Sequence, residues 1–214
     1  MRIMKRLLSL SVLCFLLLVP GQAICGQNES DLTGSVSLFF GQKFLDEDYW
    51  EPLDKQLEVG VLLFNIGQRS WPVNIAFDIL YSWDDDRELE VENEGYYTLD
   101  YDGNTVELNI GARKFWDIYR IQPFIGGGLA IIRAEGELEG TVNVYGYDGA
   151  IAKIKVSDDD TGVGVWAECG ARLLITNRFS LGLDLRYSWA EVTLFEEAGK
   201  AGGIHTGVLL GYHW

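Results

Sequence analysis

Cysteine, histidine, proline and methionine are all scarce in this 214-residue chain, at three, two, four and two residues. Cys14 and Cys25 lie in the N-terminal leader region and Cys169 stands alone inside a strand-like segment, so no disulfide framework follows. Cys169 is expected on the apolar face of its strand, as a small hydrophobe. Basic residues are also few, 17 against 32 acidic, and the formal charge of −15 argues against a nucleic-acid partner, whose phosphates would be repelled. The apolar run Leu7 to Val19 is too short to span a bilayer as a helix, which needs about 20 residues. With Arg2, Lys5 and Arg6 before it and small residues after it, it reads instead as the core of a secretory signal peptide.

The expected signal peptide is 1–23, with Gly21-x-Ala23 as a small-x-small cleavage site; a cut as late as Gly26 stays open. Gln22-Ala23-Ile24 lacks the residues that usually precede a lipidated cysteine, so Cys25 is not read as one. Residues 24–32 are expected to be a short periplasmic tail, and 33–214 a single domain. Its 25 glycines and 27 aromatics, with so few prolines, favour strands and turns.

Eight segments of the domain alternate with a period of two. They are Thr33–Phe44, Lys55–Asn65, Pro72–Trp83, Thr105–Phe115, Ile121–Arg133, Gly162–Leu174, Phe179–Trp189 and Gly203–Trp214. The clearest are the third, which sets Val73, Ile75, Phe77, Ile79, Tyr81 and Trp83 against Asn74, Ala76, Asp78 and Ser82, and the seventh, with Leu181, Leu183, Leu185 and Tyr187 against Ser180, Gly182, Asp184 and Arg186. In the second, Leu57, Val59, Val61 and Leu63 are expected on the apolar face.

Connections alternate between tight turns and long segments, the long ones being Asp46–Asp54, Asp84–Asn104, Ala134–Thr161 and Val192–Gly202. The acidic excess sits in these: Asp84–Asn104 alone holds nine acidic residues against Arg87, whereas the short turns carry Arg69, Arg120 and Arg178 against Asp117. The fold class expected is therefore all-β, an eight-stranded antiparallel up-and-down transmembrane barrel with short periplasmic turns and long acidic extracellular loops. The two longest loops are expected to continue as hairpins, with Asp148-Gly149 at one tip and either Asn93-Glu94-Gly95 or Asp102-Gly103 at the other.

Gln122-Pro123-Phe124-Ile125-Gly126-Gly127-Gly128 and the closing His205-x-Gly207-x-x-Leu210-x-Tyr212-His213-Trp214 carry a family resemblance. From Thr33 to Trp214 the chain resembles the small eight-stranded outer-membrane barrels, the group that includes the OmpA transmembrane domain and opacity-type surface antigens. The resemblance implies an outer-membrane location and makes Gly207, Leu210, Tyr212 and Trp214 the signal read by the barrel-assembly machinery. No peptidoglycan-binding domain follows in this sequence, so a tethering role is not implied.

An eight-stranded barrel is just wide enough for side chains to fill it. The inward positions include Lys43, Arg113, Arg172 and Arg186 as bases, Glu58, Asp78, Glu107, Glu168 and Asp184 as acids, and His205. Buried charges must be paired, so the expected result is a structural network that plugs the lumen; a narrow ion path through rearranged pairs is the alternative. A second alternative comes from related barrels that modify lipid A with a histidine and a serine, but no nucleophile, histidine and carboxylate set is evident from spacing here, and the chain is read as non-enzymatic. A soluble lipocalin-like barrel would need its apolar face inside. No catalytic, metal or cofactor site is expected. The acidic runs Asp84-Asp85-Asp86 and Asp158-Asp159-Asp160 could meet divalent cations. The remaining expected partners are outer-membrane lipid and lipopolysaccharide.

Overall fold

The computed structural model describes residues 32–45, 47–92, 95–144 and 152–214; the expected signal peptide and the tail up to residue 31 lie outside the described residues. The elements are β1 (Leu32–Phe44), α1 (Glu47–Trp50), β2 (Lys55–Gln68), β3 (Asn74–Glu92), β4 (Gly95–Phe115), β5 (Ile121–Val144), β6 (Ala152–Leu174), β7 (Phe179–Leu194), β8 (Glu197–Lys200) and β9 (Ile204–His213). Each of β1 to β7 pairs antiparallel with the next, and β9 joins β7 to β1, closing a ring of eight. The short β8 pairs with β7 beyond the ring.

Closure follows from the alternation, because a ring pairs every backbone N–H and C=O and leaves no edge to lipid. The apolar file of each strand points outward: Val163, Leu183 and Leu129 are 69%, 66% and 64% exposed. At the short-turn end aromatics gather, with Phe179 and Tyr212 edge to face at 5.4 Å and Phe64 near Trp214 at 5.8 Å. Such aromatic girdles mark the interface of a membrane barrel. Cys169 is on the outer surface, as its phase requires.

One strand departs from simple alternation. The ladders of β2 shift register between Gly60 and Leu62, and β1 shifts opposite, between Ser37 and Phe39. A bulge inserts one residue and reverses the phase beyond it. Gln56, Glu58 and Gly60 therefore face inward before the bulge, and Leu63 and Asn65 after it. This corrects the expected outward placement of Leu63, which is fully buried in a lumenal cluster with Phe39, Leu80, Phe124 and Leu209.

At the other end the longest connections are strand for most of their length. The β2–β3 ladder starts at Leu57 and Trp83 and the β6–β7 ladder at Gly164 and Ala190, but β3 to β6 continue past the ring as one four-stranded sheet. The β3–β4 ladder runs out to the pair Glu92 and Gly95, and Asp102 lies within it opposite Asp85, so Asp102-Gly103 is not the tip. Asn93-Glu94 and the Asp148-Gly149 tip lie outside the described residues. Over roughly ten residues beyond the ring, at about 3.3 Å each, the sheet projects about 30 Å.

The connection from α1 to β2 folds over the mouth of the ring. Trp50 of α1 is buried and donates its indole Nε1–H to the Lys200 carbonyl at 2.7 Å, and the Tyr49 hydroxyl donates to the Glu197 carbonyl at 2.8 Å. Beneath them Leu45, Ile132, Ala134, Val192, Leu194 and Ala201 form an apolar cap that reaches down to Trp166.

Candidate functional site

The ten lumenal residues expected from the sequence, Lys43, Glu58, Asp78, Glu107, Arg113, Glu168, Arg172, Asp184, Arg186 and His205, are all buried, none more than 6% exposed. They come from seven strands, because each strand turns alternate positions inward and closure brings opposite walls within side-chain reach.

Two arginines and two carboxylates form the middle of the network. Arg113 donates through Nη2 to Asp78 Oδ2 at 2.7 Å, through Nη1 to Asn65 Oδ1 at 2.7 Å, and through Nε to Glu168 Oε1. Arg186 Nη2 reaches the same Asp78 oxygen at 2.8 Å and Glu168 Oε2 at 2.7 Å, so each carboxylate bridges both guanidinium groups. Asp184 lies 3.6 Å from Arg186 Nη2. The Trp166 ring packs against both arginines, 5.8 Å from Arg113 and 5.0 Å from Arg186. Its indole crosses β5 at Gly128 to donate to the Ile110 carbonyl of β4 at 3.4 Å. A side chain at Gly128 would collide with the β4 backbone there.

Toward the long-loop end a second cluster surrounds Glu107. Its carboxylate accepts from Asn109 Nδ2 at 2.7 Å, Ser188 Oγ at 2.9 Å and Lys43 Nζ at 3.5 Å. Lys43 also donates to Thr105 Oγ1 at 2.9 Å. His205 lies between carboxylates, with Nδ1 2.8 Å from Glu58 and Nε2 2.9 Å from Ser188 Oγ and 3.6 Å from Glu107.

Spacing showed no hydroxyl, histidine and carboxylate set, and closure of the ring brings one within hydrogen-bond reach. Ser188, His205 and Glu58 are connected in that order, although they stand on β7, β9 and β2. Ser188 and His205 are 1% exposed or less, and the Ser188 hydroxyl is also hydrogen-bonded to Glu107. The connectivity is that of a catalytic triad, and the surroundings are those of a packed interior.

Spacing also left out neutral members of the network: Gln56, Ser82, Thr105 and Asn109 join it through side-chain hydrogen bonds of 2.6 to 2.9 Å. Their inward phase was legible; their partners were not. The apolar lumenal layer was the other omission, since Phe39, Leu80 and Leu209 fall on the polar phase of their strands.

On the projecting sheet, charge is organised by cross-strand pairs. Lys153 meets Glu139, Lys155 meets Glu137, and Arg133 lies 3.0 Å from Asp159. The hydrogen bond from Arg87 holds the Asp100 carboxyl below the usual carboxylate range. Backbone N–H donors from Thr193 and Thr161 do the same for Asp160. Asp84 and Asp102 are pushed up, by burial first and by neighbouring carboxylates second. Asp158 and Asp160 accept from the Phe195 and Thr193 amides, each at 2.7 Å, tying the β7–β8 hairpin to β6. Among the described residues no three His, Cys, Asp or Glu side chains converge to hold a metal.

A closed antiparallel ring with an apolar outside, an aromatic interface and a charged inside defines an outer-membrane β-barrel. By the rule that short turns are periplasmic, the cap and the projecting sheet are extracellular. No protein-family model matches the chain, and no curated protein matches it in sequence. Among solved structures it is similar to Neisserial surface protein A, with 14% identity, a TM-score of 0.44 and coverage of 86% of this chain and 96% of that one. It is also similar to Ail, the attachment invasion locus protein of Yersinia pestis, at 14% identity, TM-score 0.46 and coverage of 86% and 100%. A major outer membrane protein from Thermus thermophilus gives 9% identity, TM-score 0.49 and coverage of 86% and 99%.

Proposed function

We propose that this protein is a non-conducting outer-membrane barrel that anchors and displays an acidic four-stranded sheet at the cell surface. The observation that carries this reading is the filled lumen: bridged arginines and carboxylates across the middle, and an apolar cap under Trp50 at the outer mouth. An ion crossing it would have to break buried charge pairs, at a cost of several kcal/mol. The function then lies outside, where the sheet offers carboxylates for loose divalent-cation bridging to lipopolysaccharide. It needs no cofactor, and its insertion depends on the barrel-assembly machinery reading Gly207, Leu210, Tyr212 and Trp214.

The test is conductance of the purified barrel in planar bilayers, with the heat-dependent shift in gel mobility as a check of folding. Folded protein with no channel events supports the reading; steady ion-selective openings favour the narrow channel and overturn it. The Ser188–His205–Glu58 connection favours a second reading, a lipid-directed hydrolase, and its burial counts against it. A mass change in lipid A on expression that disappears with Ser188→Ala would establish that reading.

A further inference from the structure

We propose that the periplasmic mouth of the barrel is a binding site for a phosphate-type oxyanion, with Arg172 at its floor. A cavity of about 370 Å³ opens there, bordered by Arg172, Lys114, Arg69, Gln68, Gln122 and Trp214. Its charge is one-sided. Among the described residues the acidic side chain on its wall is Asp117, which accepts a hydrogen bond from Gln122 Nε2 at 2.6 Å, and the α-carboxylate of Trp214 lies at the rim, whereas Arg69, Lys114, Arg113 and Arg172 all border it.

Arg172 differs from the other lumenal cations. Lys43, Arg113 and Arg186 each pair with a carboxylate, but among the described residues Arg172 donates only through Nη1, to Ser35 Oγ at 3.0 Å. Its Nε and Nη2 are buried without a hydrogen-bond acceptor among the described residues, and its guanidinium lies 4.7 Å from the Phe115 ring and 5.3 Å from the Phe124 ring. A buried guanidinium with unused donors is costly, and an anion that supplies acceptors relieves that cost. A planar fork at the floor of a mouth bordered by further cations and side-chain amides suits a tetrahedral oxyanion, whose several oxygens can accept at once.

The cavity also sits at headgroup depth, because Trp71 and Trp214 on its wall belong to the periplasmic aromatic rim. Phosphate could therefore arrive as a phospholipid headgroup of the inner leaflet or as a free ion from the periplasm. The site is independent of the function proposed for the extracellular sheet, and of whether the lumen conducts.

The test uses the full folded barrel in a phosphate-free glucoside detergent, with the Arg172 side-chain N–H signal followed by NMR. Inorganic phosphate is titrated in one arm and short-chain phosphatidylglycerol in another, at constant ionic strength set with chloride. A saturable shift with phosphate alone assigns a free-ion site, and one with the lipid alone assigns a headgroup site. Arg172→Gln should weaken binding about tenfold or more, the scale of a lost charged hydrogen bond. Lys114→Ala and Arg69→Ala, which leave the lumen untouched, should each weaken it a few-fold, and keep the test valid if Arg172→Gln does not fold. Failure of both ligands to saturate, or affinities unchanged in all three variants, would overturn the proposal.

Discussion

Replacing Asp78 by asparagine keeps the shape of the side chain and removes its charge from the middle of the lumenal network. Its Oδ2 accepts from Arg113 at 2.7 Å and from Arg186 at 2.8 Å, and all three side chains are 1% exposed or less. Charged hydrogen bonds contribute about 1.5–3 kcal/mol each, and breaking a buried ion pair from one side costs about 3–5 kcal/mol. Two arginines would then face Glu168, with Asp184 3.6 Å from Arg186 as the other nearby carboxylate, so the expected loss is about 3–5 kcal/mol. With a urea dependence of about 2 kcal/mol per molar, the unfolding midpoint in lipid vesicles, followed by tryptophan fluorescence, should fall by about 2 M. Arg186→Gln in the same chain restores the charge balance, so the double variant should lose less than the sum of the singles, with a coupling of about 1–3 kcal/mol. A midpoint that moves by less than about 0.3 M, or a strictly additive double variant, would refute the idea that these residues act as one charged unit.

The cap makes a separate prediction: Trp50→Ala removes the bond to the Lys200 carbonyl and a buried ring. It should speed proteolysis within residues 47–54 and 195–203 while the heat-dependent gel shift of the ring persists. Acid should loosen the β7–β8 hairpin. The Asp160 carboxyl is held below the usual range by the Thr193 and Thr161 amides, so its contribution is present above the ordinary aspartate pKa of about 3.9 and is lost as pH falls below it. Hydrogen exchange at Thr193 should therefore rise below about pH 4, and Asp160→Asn should flatten that dependence. Cys169 faces outward between Ile125 and Leu185 on the lipid side, so Cys169→Arg should destabilise the folded barrel by up to about 2–4 kcal/mol, according to depth. A charge-bearing maleimide should label the wild-type cysteine far more slowly than an apolar one.

Much of this molecule was legible in its sequence, because a period of two is a local property. The alternation of Val73 to Trp83 and of Phe179 to Trp189 identifies strands and their outward faces without knowledge of any neighbour. Eight such segments, with short turns alternating with long ones, imply a closed barrel, and with it the burial of all ten lumenal side chains. The exceptions have definite causes. Leu63 points inward because the bulge between Gly60 and Leu62 inserts a residue, and nothing in Val61-Leu62-Leu63 distinguishes a bulge from plain alternation. Asp102-Gly103 has the composition of a turn yet sits in the ladder, because the register set lower down by Val106 and Leu108 against Tyr81 and Ile79 carries the pairing on to Glu92 and Gly95.

Which charges meet across the lumen was decided only by closure. Asp78 and Arg186 are 108 residues apart, and Glu58 and His205 are 147 apart. They touch because β9 joins β1 to β7 at one particular register and brings opposite walls together. The same closure linked Ser188, His205 and Glu58, left Arg172 without a carboxylate partner among the described residues, and brought Trp50 over the mouth. The sequence by itself determined that these side chains face inward, since that depends only on the pleat of each strand. Their pairing depends on the shear of the whole ring, which no single strand encodes.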